Sequence, residues 1–169
     1  QLNGDLFITD AGLETDLIFN HGYELPQNAS YILLDDAAGI ERLQRYFADF
    51  IAIADDFGTG LLLESATWRA SADWAAKIGT PREKLIELNR TGIEMLAAFR
   101  AARPAGARPL VVSGNIGPRS DAYRPTEIMT PREAEDYHAL QASTFADTAA
   151  DLITAMTITN IPEALGIVR

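Results

Sequence analysis

Four short, unbroken apolar runs, separated by segments of helical periodicity, constrain this chain more than any other feature. The runs are Leu6-Phe7-Ile8-Thr9, Leu61-Leu62-Leu63-Glu64, Leu110-Val111-Val112-Ser113 and Leu152-Ile153-Thr154-Ala155-Met156. A strand with one wet face alternates apolar and polar residues. An unbroken run is expected where both faces are covered, as in a parallel sheet. Between the runs, apolar residues recur at spacings of three and four, which predicts amphipathic helices. One stripe is Ile40, Leu43, Phe47, Phe50, Ala54 and Phe57, stopped by Gly58. A second is Leu85, Leu88, Gly92, Met95, Leu96 and Phe99, closed by Pro104 and Gly106. A third, less regular, runs through Ala134, Tyr137, Gln141, Phe145 and Ala149, and a fourth helix is expected from Pro162-Glu163. Thr80-Pro81-Arg82-Glu83 and Thr130-Pro131-Arg132-Glu133 both read as capping boxes with proline at the first helical position.

Strand and helix therefore alternate, and alternation of this kind implies a parallel α/β fold. An open doubly wound sheet and a closed barrel both fit. The first strand–helix turn, Asp10-Ala11-Gly12-Leu13-Glu14, is not a Gly-x-Gly-x-x-Gly loop, and no Gly-x-x-x-x-Gly-Lys-Ser/Thr loop occurs. This argues against dinucleotide and P-loop nucleotide binding.

The 169 residues suffice for one domain, taken here as residues 1–169. A net charge of −10, from 14 basic and 24 acidic side chains, repels phosphate backbones and makes nucleic acid an unfavourable partner. No apolar run approaches the roughly 18 residues that span a bilayer. Gln1-Leu2-Asn3-Gly4-Asp5 lacks the basic and apolar regions of a signal peptide, so a cytoplasmic location is the default expectation. With no cysteine there is no disulfide, and His21 and His138 form no ligand-spaced pair, so a metal site within these residues is not expected. No nucleophile-elbow motif is present either.

In parallel α/β folds, ligands bind at the carboxyl ends of the strands. The candidates there are Asp10 with Ala11 and Gly12 after the first strand, and Glu64 and Thr67 at the second. At the third they are Ser113 and Asn115. Asp10 is suited to binding an amine or handling a proton, though a loop acid often only caps a turn. Glu64 follows three leucines and needs a partner if buried, for which Arg69 is the nearest cation in sequence. Ser113-Gly114-Asn115-Ile116-Gly117-Pro118-Arg119 reads by default as a turn, and Trp68 and Trp74 read by default as core. No residue is assigned a catalytic role.

Taken in order, these strand ends resemble the homocysteine S-methyltransferase family. Ile8-Thr9-Asp10-Ala11-Gly12-Leu13-Glu14-Thr15 is similar to its opening Asp-Gly-Gly/Ala segment. Leu63-Glu64-Ser65-Ala66-Thr67-Trp68-Arg69-Ala70 is similar to its second-strand Thr-Asn-Thr-Tyr segment, and Val112-Ser113-Gly114-Asn115-Ile116-Gly117-Pro118 to its third-strand Gly-x-x-Gly-Pro segment. Ala150-Asp151-Leu152-Ile153 and Glu163-Ala164 correspond to its fourth-strand region. The resemblance implies a (β/α)₈ TIM barrel, of which this chain covers about the first four β/α units, with the rest beyond Arg169. It implies methyl transfer from a sulfonium or ammonium donor to the thiol of homocysteine or a related thiol, as in methionine biosynthesis. It also implies zinc held by three cysteine thiolates of later strands, outside these residues. Only a few per cent of a free thiol of pKa near ~8.5 is thiolate at neutral pH, and coordination removes that barrier. The partners implied are a small-molecule thiol and a methyl donor, with a homo-oligomer left open. Two departures stand out. Met156 occupies the place of a fourth-strand glutamate that binds the substrate amine in the family, and Glu64 adds a carboxylate at the second strand. Two other readings remain: a barrel lyase or aldolase using Asp10 and Glu64, and a non-catalytic half barrel that binds a small molecule. Lys77 and Lys84, the only lysines, lie off the strand ends, against a Schiff-base version of the former.

Overall fold

A computed structural model describes residues 4–126 and 128–169. Of the N-terminal stretch judged not to be a signal peptide, Gln1–Asn3 lie outside the described residues. The centre is a four-stranded parallel sheet in the order β1-β2-β3-β4, built from Phe7–Thr9 (β1), Gly60–Glu64 (β2), Leu110–Ile116 (β3) and Leu152–Ala155 (β4). Phe7 pairs with Gly60, Leu61 with Leu110 and Ser113 with Leu152. Each strand lies beside its successor, so among the described residues the sheet is singly wound, without the reversal of a doubly wound fold.

After β1 the chain makes a single helical turn, Leu13–Thr15 (α1), a π-helical turn, Asp16–Asn20, and two 3₁₀ turns, Pro26–Asn28 and Ser30–Asp35. The long helices are Ala37–Phe57 (α2), Arg82–Ala102 (α4) and Pro131–Ala146 (α5). The short ones are Ala72–Ile78 (α3) and Ile161–Val168 (α6). α2 begins where the Asp36 carboxylate accepts from the Gly39 N–H at 2.8 Å, and it stops at Gly58, whose φ of 63° favours glycine. Its Leu43, Phe47 and Ala54 join Leu61 and Leu63 of β2, Ile93 and Leu96 of α4, and Phe145 of α5 in one buried cluster. Burying such a side chain contributes roughly 1.5–3 kcal/mol. Gly114 lies inside β3 because any Cβ there would overlap the Phe145 ring, so α5 packs directly on the strand backbone.

Several expectations change. The segment Ser113–Ile116 is strand, not turn: β3 runs to Ile116 because β4 pairs with its far end. The outer strands are not covered on both faces. Leu152 and Ile153 of β4 are exposed, as is Leu6, which precedes β1; among the described residues each outer strand has one strand neighbour. α5 ends at Ala146, before Ala149. Of the two capping boxes, Thr130 forms one: its hydroxyl accepts from the Glu133 N–H at 3.3 Å, and the Glu133 carboxylate accepts from the Thr130 N–H at 2.8 Å. Thr80 does not. Its N–H donates to the Ala75 carbonyl rather than to Glu83, and its hydroxyl turns to Tyr31 Oη at 2.9 Å instead of capping the helix. No helix among the described residues is long and apolar enough to cross a membrane.

Candidate functional site

A cleft of about 550 Å³ opens at the carboxyl ends of the strands. β1 delivers Asp10, Ala11 and Gly12 to it, β2 delivers Glu64, Ser65 and Trp68, β3 delivers Asn115, and the end of β4 delivers Met156 and Thr157. α1 and the π-helical turn add Glu14, Ile18 and Phe19, and Tyr123 reaches in from the β3–α5 loop.

Asp10 and Glu64 are coupled through the backbone: Asp10 Oδ1 accepts from the Glu64 N–H at 2.8 Å. The Tyr46 hydroxyl lies 3.4 Å from Asp10 Oδ2 but donates more closely, at 2.9 Å, to the Ala11 carbonyl. Burial pushes the Asp10 carboxyl up to about 7; the Glu64 N–H opposes this, and the nearby Glu64 charge reinforces it. Burial also raises the Glu64 carboxyl, against a hydrogen bond from the Thr154 hydroxyl. The same burial, with Asp10 second, drives the Tyr46 phenol well above its usual range, so Tyr46 stays a neutral donor. Among the described residues, no lysine, arginine or histidine forms an ion pair with Asp10 or Glu64. The cleft thus holds two partly desolvated carboxyls from neighbouring strands, neither with an ion-pair partner among the described residues.

The other candidates separate into two groups. Asn115 lines the cleft, and its buried Oδ1 has no partner among the described residues. Thr67 and Ser113 lie beneath the cleft, fully buried. Thr67 Oγ1 donates to the Asn115 carbonyl at 2.9 Å and bonds Ser65 Oγ at 2.6 Å, which in turn accepts from the Asn115 N–H at 3.1 Å. Ser113 Oγ bonds Thr154 Oγ1 at 2.7 Å. A threonine has one hydroxyl proton. With that proton committed to Glu64, Ser113 donates to Thr154, and the chain of hydroxyls ends on the carboxylate.

Arg69 is not the partner of Glu64. Its guanidinium lies between the Trp68 and Trp74 rings, 3.9 Å from each centroid, and donates to the Pro118 and Ser120 carbonyls. Trp74 is core as expected, but Trp68 is a wall of the cleft, reaching Thr157 Oγ1 with its indole N–H at 3.2 Å. Sequence reasoning passed over Glu14, which accepts from the Ser30 hydroxyl at 2.6 Å, and Tyr46, which approaches Asp10 from 36 residues away. Glu14 was visible four residues after Asp10; nothing local pointed to Tyr46.

The zinc implied by the resemblance does not fit these side chains. The chain has no cysteine, and the described residues contain no cluster of three or more His, Cys, Asp or Glu able to hold a metal ion. His138 Nε2 is 3.0 Å from Glu163 Oε1, with both side chains buried, and His21 faces Asp16.

No curated protein matches the sequence significantly. Among solved structures, the metallated form of the homocysteine methyltransferase MmuM from Escherichia coli superposes with a TM-score of 0.72 at 19% identity, over 96% of this chain and 57% of that one. Its oxidized form gives 0.71 at 19% identity, over 96% and 56%. The chain therefore spans a little over half the length of the proteins whose fold it shares. The family model for homocysteine S-methyltransferase matches residues 7–169, nearly all of the sequence, and the chain belongs to that family.

Proposed function

We propose that the complete protein transfers a methyl group from a sulfonium or ammonium donor to the thiol of homocysteine or a related thiol. The four strand–helix units described here form part of a (β/α)₈ barrel in this reading. The observation that carries it is the two carboxyls, Asp10 and Glu64, at the strand ends of a family member, neither in an ion pair among the described residues. Burial disfavours ionisation of both carboxyls, the Glu64 charge adds to this at Asp10, and a substrate ammonium bound in the cleft would relieve it.

Asp10 and Glu64 thus hold the ammonium of an amino-acid substrate. The Asn115 Oδ1, without a partner among the described residues, accepts a further N–H. Ala11 and Gly12 shape the floor beside Asp10, the left-handed Gly12 (φ 69°) turning the chain away from the strand. Thr67 and Ser113 act from beneath, the first holding Asn115 and the second holding Thr154 against Glu64. These contacts fix the substrate's amino end, and orientation of the reacting atoms is the part of the barrier that such binding removes. Met156, exposed at the end of β4, offers no charge, so recognition of the amine falls to β1 and β2. The zinc that activates the thiol in the family is assigned to cysteines outside residues 1–169.

The test is thiol consumption by the full-length protein with a sulfonium and with a quaternary ammonium donor, alongside metal analysis. Glu64→Gln is expected to raise KM for the thiol amino acid at least about tenfold without changing metal content. Absence of methyl transfer from both donor classes, or an unchanged KM in Glu64→Gln, would sink the proposal.

A further inference from the structure

Trp68 touches three separate parts of the structure, and each contact is specific. One face of its indole lies against the Arg69 guanidinium at 3.9 Å. Its backbone and ring edge lie on Gly117, where an added Cβ would come within 2.7 Å of the indole Cδ1 and Nε1. Its N–H reaches Thr157 Oγ1, on a residue with φ of 58°, a conformation that non-glycine residues seldom adopt. Arg69 in turn is held by more than the indole. Trp74 stacks on it at 3.9 Å, its Nη1 donates to the Pro118 and Ser120 carbonyls, and Trp74 Nε1 donates to the same Pro118 carbonyl at 3.1 Å. Arg69 is buried, yet no carboxylate forms an ion pair with it among the described residues. Burial lowers the Arg69 pKa, and the charges of Asp121 and Glu14, beyond ion-pair distance, oppose this only in part. A buried cation whose direct contacts are carbonyls and two aromatic faces, with its Nε unpartnered among the described residues, is costly to keep for stability alone, because an apolar residue of similar volume would fill the space without the desolvation.

We infer that Arg69 is a positioning residue: it clamps the Trp68 indole into the wall of the strand-end cleft and joins the β2–α3 and β3–α5 loops around it. The planar guanidinium fits between two rings as an ammonium does not. The indole lines the same cleft as Asp10 and Glu64, so its plane bounds the space available to a substrate. The inference rests on the proposed function only for which substrate fills that space. The clamp itself is a property of the described residues.

Two readouts test it in the full-length protein. In the first, ¹⁹F NMR of 5-fluorotryptophan protein, with the Trp68 signal assigned through Trp68→Phe, shows one sharp resonance in the parent. The same resonance is expected to broaden or split in Arg69→Met and Arg69→Lys. In the second, Arg69→Met and Trp68→Leu each raise KM for one and the same substrate about tenfold, with little change in kcat. The double variant is then no worse than Trp68→Leu alone, as expected when two residues act through one contact. Should Arg69→Met fail to fold, Arg69→Lys retains the charge and carries both readouts. A Trp68 signal that stays sharp in Arg69→Lys, or KM effects that multiply in the double variant, would overturn the assignment. A parent without methyl transfer would count against the proposed function and leave the NMR readout to decide the clamp.

Discussion

Replacing Asp10 by asparagine should make the fold more stable at pH 8 than the parent, by an amount that disappears in acid. The folded protein keeps the Asp10 proton until about pH 7, whereas the unfolded chain releases it near 3.8. Between these values the unfolded state carries fewer protons, so stability falls as pH rises. The contribution is intact below 3.8 and fully lost above about 7. At about 1.4 kcal/mol per pH unit the full interval corresponds to roughly 4 kcal/mol. Asp10 faces an open cleft, where water screens the charge, and about half of that is the better expectation. Asparagine keeps an oxygen for the Glu64 N–H, so the comparison isolates the charge. Urea unfolding of parent and Asp10→Asn at pH 4 and pH 8, at matched ionic strength, measures the difference. The advantage of asparagine should grow by about 2 kcal/mol across that range. A difference flat to within about 0.5 kcal/mol would show that Asp10 is solvated well enough to ionise normally, and the argument for a cation-seeking cleft would go with it.

Two further outcomes follow from particular contacts. Thr130→Ala should cost about 1 kcal/mol, seen as a lower Tm, because it opens the capping box of α5; Thr80→Ala should not produce a helix-cap loss, since its hydroxyl serves Tyr31 instead. Glu163→Gln should cost about 3 kcal/mol at pH 7 by urea unfolding. Burial alone would raise the Glu163 carboxyl, but hydrogen bonds from His138, the Arg119 N–H and Asn160 hold it below its ordinary 4.5. Its stabilisation is therefore present above 4.5 and lost as pH falls through the folded value, and a penalty unchanged at pH 3 would contradict this.

The sheet and its order were legible because buried parallel strands and amphipathic helices have different periods, and because Gly58 stops α2 where the stripe ends. The edges of elements were less legible. β3 continues through Ser113-Gly114-Asn115 since Gly114 answers to Phe145, a residue 31 positions later whose ring no local pattern reveals. Identical tetrapeptides at Thr80 and Thr130 behave differently because Ala75 and Tyr31 compete for the first and nothing competes for the second. At the site, Asp10, Glu64 and Asn115 could be found because strand ends converge. Arg69 was assigned to Glu64 on sequence proximity, but its aromatic neighbours and the carbonyls of the β3–α5 loop hold it elsewhere.

The strand register has a bearing on how such a sheet assembles. The pairs Phe7–Gly60, Leu61–Leu110 and Ser113–Leu152 close loops of 53, 49 and 39 residues. Loop-closure cost grows only with the logarithm of length, so these three differ by about 0.3 kcal/mol or less. Chain entropy therefore does not rank the pairings, and side-chain burial does. β2 and β3 carry fully buried Leu61, Leu63, Val112 and Ile116, while β1 and β4 have none. The middle of the sheet is its thermodynamic anchor, and among the described residues the strand that carries Asp10 into the cleft pairs with β2 alone.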